Sequence, residues 1–196
     1  MDVYFVTTNG GKFRTASREF DRVGTRLIHV PRELEEPRIE DMKNVERIAR
    51  FKLRQAYALL KKPVIVADSG FYIKALRGWP GPYINFNLNT IGIKGILKLM
   101  EDETNREAYF YTAVAYTDGN RTAVYTGRKD MLVADRPRGK KQKWHWSDLS
   151  QIVIPDAQGC TKTIAEMSEE EWTQTWLPRL HRKHPSAFRQ VAEHIT

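Results

Sequence analysis

One cysteine, Cys160, is all that the 196-residue chain contains. It leaves no intramolecular disulfide available and fits a reducing compartment. No apolar run approaches the roughly 20 residues that a helix needs to span a bilayer. The opening residues MDVYFV enter an apparent strand without the basic and apolar regions of a signal peptide. The expectation is a cytosolic protein with no membrane partner. Internal repeats and low-complexity tracts are missing, as are Cys/His spacings suited to zinc and a G-x-S-x-G nucleophile elbow. Positive charge, by contrast, is in excess: 32 Lys and Arg against 24 Asp and Glu give a formal charge of +8. A basic surface attracts polyanions, either nucleic acid or free nucleotides. Hydrophobic residues make up 41 % of the chain, enough for a packed core, and the length fits a single domain over residues 1–196.

Strand and helix signals alternate along the chain. Val3 to Val6 is a short apolar run, broken by Thr7-Thr8-Asn9-Gly10-Gly11, and a helical stretch follows from Lys12 to Val23. Leu27 to Val30 reads as a second strand and Pro31 to Arg38 as a loop. Val45, Ile48, Ala49, Leu53, Ala56, Tyr57 and Leu60 recur at three and four, which predicts an amphipathic helix over 44–60. Val64 to Val66 reads as a buried strand ended by Asp68-Ser69-Gly70, and Arg77 to Tyr83 as a turn-rich loop. A helix is expected over 91–100, and a strand over 108–116 with a hairpin turn at Asp118-Gly119. Strands are also expected over 121–126, 131–134 and 151–154. Ser168 looks like a helix N-cap before an acidic first turn, and a closing helix is expected over 185–195. The pattern is α/β with a mixed sheet.

Five constellations could carry chemistry. Thr7-Thr8-Asn9-Gly10-Gly11-Lys12 lies between a strand and a helix, where glycine backbone, helix start and a cation make a phosphate cradle. Its Gly and Lys spacing is not that of a Walker motif, and an Asn-Gly-Gly sequence also serves as a plain turn. Asp68 follows an internal strand, where α/β proteins place ligands, and its carboxylate can hold a hard cation such as Mg²⁺ or simply cap a turn. Gly78 to Tyr83 is a rigid loop whose aromatics could pack or stack on a base. Trp144-His145-Trp146-Ser147-Asp148 follows a run of seven basic residues between Arg128 and Lys143, a run that can equally be a solvated loop. Its rings suit a nucleobase beside its phosphates or the core. Leu180-His181-Arg182-Lys183-His184 offers cationic donors to a phosphate or a purine carbonyl, or forms a basic helix end.

The order of these segments resembles that of the inosine triphosphate pyrophosphatases, which remove non-standard purine nucleotides. Thr7 to Lys12 is similar to the family's [S/T]-x-N-x-x-K phosphate loop. Val66-Ala67-Asp68-Ser69-Gly70 followed by Ala75 to Tyr83 resembles its D-[S/T]-G…A-L-x-G-x-P-G-x-Y stretch, the longest and most specific part of the match. Lys162 to Met167 is similar to K-T-x-A-E-L, and His184-Pro185-Ser186-Ala187-Phe188 lies where the family has S-H-R-x-x-A-L. The resemblance implies an elongated two-lobed fold, with a long twisted mixed sheet flanked by helices and the nucleotide in a cleft between the lobes. It further implies a homodimer and Mg²⁺-dependent hydrolysis of nucleoside triphosphates such as ITP, dITP or XTP to monophosphate and pyrophosphate. Lys12, with Thr7, Thr8, Asn9, Gly10 and Gly11, would hold phosphates. Asp68 would bind Mg²⁺ and help activate water, and Ser69 would touch the substrate. His145, Trp146, Asp148, Lys183 and His184 would face the base.

The chain departs from the pattern in places. Ala67 stands where a second acid is usual. The metal-binding Glu of the helix aligns with Arg47, which leaves Glu46, one residue away, as the candidate. The base segment G-F-G-Y-D keeps only its Asp, as Asp148, and the terminal His-Arg pair becomes Lys183-His184 if Ala187 sets the register, or His181-Arg182 if a short insertion intervenes. The phosphate side is better kept than the base side. A non-catalytic nucleotide or nucleic-acid binder on the same fold is therefore the alternative reading, and a pyrophosphatase with another base preference a third.

Overall fold

A computed structural model describes residues 1–37 and 44–195. In chain order the elements are β1 (Asp2–Val6), α1 (Gly10–Asp21), β2 (Arg26–Val30), α2 (Val45–Leu60), β3 (Val64–Ile73), β4 (Pro80–Gly81), α3 (Ile84–Thr90), α4 (Gly92–Leu99), β5 (Glu107–Thr117), β6 (Thr122–Val133), β7 (Val153–Pro155), α5 (Leu177–Lys183) and α6 (Ala187–His194). Short 3₁₀ turns at Asp148–Gln151 and Ile164–Glu166 and a π-helical stretch at Glu171–Trp176 complete them. The sheet runs β2-β1-β3-β5-β6-β7, with β4 paired to β3. It is mixed: β1 is parallel to β2 and β3, whereas β3/β4 and β6/β7 are antiparallel. Among the described residues no helix is long and apolar enough to cross a membrane.

Two expectations are corrected, and one element is new. The strand predicted to stop at Val66 continues as β3 through Asp68-Ser69-Gly70 to Ile73. Gly70 makes the passage possible, because a Cβ there would sit 2.6 Å from the Tyr72 ring and 2.9 Å from the backbone of Gly81. Second, the two separate strands over 121–126 and 131–134 are one strand, β6, which carries part of the basic run. Its charges alternate faces as strand geometry requires: Arg128 pairs with Asp130, while Lys129 lies 5.7 Å over the Phe110 ring. Third, α3 was not expected at all. Its sequence INFNLNT lacks strong helix formers and has no side-chain cap, and it is fixed by buried Ile84 and Asn87.

The chain divides into two compact units, one of Met1–Ser69, Thr112–Gly127 and Pro185–Thr196, the other of Gly70–Tyr111 and Arg128–His184. In the first, Val3, Phe5, Ala16, Phe20, Ile65, Val114, Tyr116, Phe188, Val191 and Ala192 form the core. The α6 helix supplies Phe188, whose ring lies 5.7 Å from that of Phe5. Each such large side chain contributes about 1.5–3 kcal/mol through burial. In the second unit Phe71, Ile73, Ile96, Met100, Phe110, Met131, Ile152, Ile164, Trp172 and Leu180 form a separate core.

Candidate active site

At the carboxyl end of β1 the chain turns directly into α1. Asn9 is the N-cap: its side chain accepts from the Lys12 N–H at 3.0 Å, and its own N–H donates to Thr7 Oγ1 at 3.1 Å. His29 on β2 braces the turn from the side, with Nε2 2.9 Å from the Thr7 carbonyl and its ring stacked on Phe13 at 4.3 Å. Gly10 and Gly11 form the first turn of α1, so the helix N-terminus is free of side-chain bulk. Thr8 is exposed. These N–H groups carry the positive end of the helix dipole.

Lys12 extends from this turn to the end of β3, where Nζ donates to the Ala67 carbonyl at 3.3 Å. The residue is half-buried, and desolvation of the ammonium pushes its pKa down, against the opposing pull of Asp68. A single carbonyl bond does not replace the hydration a cation loses on burial.

Asp68 is the next residue of β3, with a side chain only 13 % exposed. Its Oδ1 accepts from Lys52 Nζ at 3.0 Å, and the same Nζ lies 2.6 Å from Glu36 Oε1. Lys52 is therefore a cation shared by two carboxylates. Burial lowers its pKa, but Asp68 and Glu36 together outweigh burial and hold it above the ordinary lysine value. Glu36 is set in place by its neighbour: Glu35 and Gln55 of α2 exchange two hydrogen bonds, at 2.9 and 3.0 Å. Ser69 bonds Thr112 on β5, Oγ to Oγ1, at 2.9 Å.

Lys52 and Glu36 were not among the residues singled out from the sequence. Lys52 could have been, since it falls on the buried stripe of α2 between Ala49 and Ala56, where a cation is out of place. Glu36 lies in a loop with no periodicity to mark it. Glu46, the expected metal ligand, occupies the half-buried first turn of α2, an acidic side chain at the positive helix end. The carboxylate that shares Lys52 with Asp68 is Glu36.

The residues expected to face a base do not form one cluster. His145 is turned inward and 7 % exposed: its Nδ1 accepts from the Gln142 N–H at 2.8 Å, its ring meets Trp144 edge-on, and burial lowers its pKa. Trp146 packs edge-on against Phe110 at 4.7 Å. Asp148 points outward and pairs with Lys141 at 2.8 Å, with Ser147 capping the 3₁₀ turn. Lys183 and His184, at the end of α5, converge instead on Asp130, at 2.5 and 3.4 Å.

A family model described as the Ham1 family matches residues 3–193. A dITP/XTP pyrophosphatase of Methanopyrus kandleri is 38 % identical over 172 residues, covering 87 % of this chain and 87 % of the relative. A dITP/XTP pyrophosphatase of Hyperthermus butylicus is 35 % identical over 172 residues, covering 86 % of this chain and 84 % of the relative. Among solved structures, a HAM1 protein from Coxiella burnetii superimposes with a TM-score of 0.78 at 20 % identity, over 100 % of this chain and 98 % of that one. The Staphylococcus aureus Ham1 protein gives 0.76 at 22 % identity over the same shares. At such identities the structures speak for the fold, and the α/β fold with its mixed sheet is theirs. Sequence and fold agree: this chain belongs to the Ham1 family.

Proposed function

We propose that the protein hydrolyses nucleoside triphosphates of the dITP and XTP class to monophosphate and pyrophosphate. The observation that carries this reading is Lys12, a desolvated cation beside an Asn9-capped helix start, whose one hydrogen-bond acceptor among the described residues is a carbonyl. The Lys12 ammonium and the N–H groups at the helix start are donors, and a triphosphate supplies charged acceptors for them. The names of the relatives, dITP/XTP pyrophosphatases at 35–38 % identity, support the same substrate class.

On this reading the N–H groups of α1, the turn from Thr7 to Gly11 and Lys12 bind the phosphates. Asp68 orients a water toward the α-phosphorus and takes its proton, and the bond to the β-phosphate oxygen breaks as pyrophosphate leaves. Lys52 fixes the rotamer of Asp68 through its 3.0 Å hydrogen bond to Oδ1. Ser69 is a further substrate contact. His145, Trp146, Asp148, Lys183 and His184 are proposed for the base end, although His145 is buried and could reach a base only through local rearrangement.

Mg²⁺ fits the donor set. Asp68 and Glu36 present two hard carboxylates at one lysine, and this ion is usually held by one or two carboxylates together with substrate phosphates. When bound it offsets phosphate charge and makes water more acidic. Glu36 is proposed here as the second carboxylate in preference to Glu46. A homodimer in the cytoplasm completes the reading, resting on the family resemblance and the single free cysteine.

The test is a panel of triphosphates with Mg²⁺: ITP, dITP, XTP and the four common nucleotides, with pyrophosphate and monophosphate measured separately from inorganic phosphate. Pyrophosphate release, lost in a folded Asp68→Asn variant, is the expected result. Binding of nucleotide without release from any of them would refute the reading in favour of a non-catalytic binder.

A further inference from the structure

β1 ends at Val6, and Thr7 is the first residue past the sheet. Its N–H still follows the parallel ladder, donating to the Val30 carbonyl of β2 at 3.1 Å. The next rung of such a ladder would bring the Arg32 N–H to the Thr7 carbonyl. That N–H instead turns back to the Val30 carbonyl at 2.8 Å, and Pro31 has none to give. Among the described residues, the donor that reaches the Thr7 carbonyl is a side chain: His29 Nε2 lies 2.9 Å from it. A carbonyl oxygen only accepts, so Nε2 carries a proton. The imidazole completes a rung that the backbone of β2 has given up.

The same ring is stacked on Phe13, with 4.3 Å between centroids and 17° between planes, and Phe13 follows Lys12 in the first turn of α1. One side chain therefore holds both the turn and the helix that leaves it. From Thr7 the hold passes along two further bonds, Asn9 N–H to Thr7 Oγ1 and Lys12 N–H to Asn9 Oδ1. In a planar trans peptide the carbonyl and the N–H point opposite ways. Fixing the Thr7 carbonyl toward His29 thus aims the Thr8 N–H, on an exposed residue, away from that ring.

We infer that His29 is a positioning residue that sets the Thr7–Thr8 peptide and the start of α1 to receive the phosphates of the substrate. The inference rests on the proposed nucleotide reading and adds to it a residue outside the turn that governs the turn's shape. Backbone donors bind an anion at full strength only when their directions are fixed before it arrives. An aliphatic residue at position 29 would suit a strand equally well, but it would leave the Thr7 carbonyl without this donor.

The experiment compares wild type, His29→Phe and His29→Gln on the full chain. Phe keeps an aromatic ring against Phe13 and lacks the donor, whereas Gln loses the ring and carries an amide N–H of similar reach. Calorimetry with a non-hydrolysable deoxyinosine triphosphate analogue and Mg²⁺ gives the affinity, turnover of dITP gives KM and kcat, and thermal melts give the folded fraction. His29→Phe should weaken the analogue roughly tenfold, the scale of one hydrogen bond, and raise KM by a similar factor with little change in kcat. His29→Gln should recover most of the affinity, whichever of the two variants melts lower. His29→Leu, a second variant without a donor, takes the place of His29→Phe if that protein does not fold. Affinity unchanged in the donor-less variant, or affinity that follows Tm and not the donor, would overturn the inference. A wild type that fails to bind the analogue would instead bring down the nucleotide reading itself, so the two failures are distinct.

Discussion

Replacing Lys52 by Met removes one charge and little volume from the point where two carboxylates meet. In the native protein Nζ lies 3.0 Å from Asp68 and 2.6 Å from Glu36, so the two acids stand within two hydrogen-bond lengths of each other. Two unit charges about 4 Å apart interact by roughly 4 kcal/mol at an effective dielectric near 20. Glu36, 55 % exposed, is well screened, while Asp68 at 13 % is not. The net loss of stability is thus about 2 kcal/mol, a fall in Tm of roughly 4–8 °C for a chain of this size. Turnover should drop about 100-fold, as when a preorganised charge partner is lost. The decisive assay is a thermal melt with and without millimolar magnesium. A divalent cation answers the same excess of negative charge, so magnesium should raise the Tm of Lys52→Met by more than that of wild type. Equal melting temperatures, or an equal response to magnesium in both proteins, would refute the account of Lys52 as the shared counterion.

Asn9→Ala removes the cap of α1 and should cost about 1 kcal/mol in denaturant unfolding, with a raised KM for triphosphate because the phosphate-facing turn loses its anchor. Gly127→Ala places a Cβ 2.7 Å from the Ala187 amide nitrogen and 3.0 Å from the Pro185 carbonyl, so it should destabilise by about 1–3 kcal/mol, read from the midpoint of a urea transition. Burial alone would raise the pKa of Asp130, but the bonds from Lys183 and Arg128 hold it below the ordinary carboxylate value, so the group contributes stability that is present above about pH 4 and lost as pH falls through the folded-state pKa. Wild type should therefore lose stability more steeply than Asp130→Asn as pH falls below about 4, as followed by circular dichroism.

Some features were legible because a local rule and the tertiary structure agreed. Thr7 to Gly11 reads as a turn between a strand and a helix and is one, with Asn9 as the helix cap. The stripe from Val45 to Ala56 reads as a helix face and is buried. Asp68-Ser69-Gly70, by contrast, consists of three turn-forming residues, yet it runs as strand because Tyr72 and Gly81 pack against a glycine that only an extended backbone presents. The alternation in Arg128-Lys129-Asp130 was masked by charge, since strand reading relies on apolar residues to mark a face. Glu36 was out of reach for another reason: its place depends on Glu35 meeting Gln55, a pairing twenty positions apart that no spacing rule encodes. In the base segment, the composition of Trp144 to Asp148 left base contact and core packing both open, because no spacing rule encodes the hydrogen bond from the Gln142 backbone to the inward-turned His145.

The unit that carries Lys12 and Asp68 is assembled from three separated stretches of chain, and its core takes Phe188, Val191 and Ala192 from the α6 helix. During synthesis the phosphate-binding turn is made well before α6, so the wall it leans on emerges from the ribosome long afterwards. Until then Phe5 and Phe20 have lost part of their apolar cover, so a nascent chain paused before α6 holds a complete sequence motif on an incomplete core. Premature termination just ahead of Pro185 would therefore spare every acid and lysine of the proposed phosphate site and still yield a product prone to degradation. Damage to the codons of α6 would be felt at a turn encoded far upstream of them.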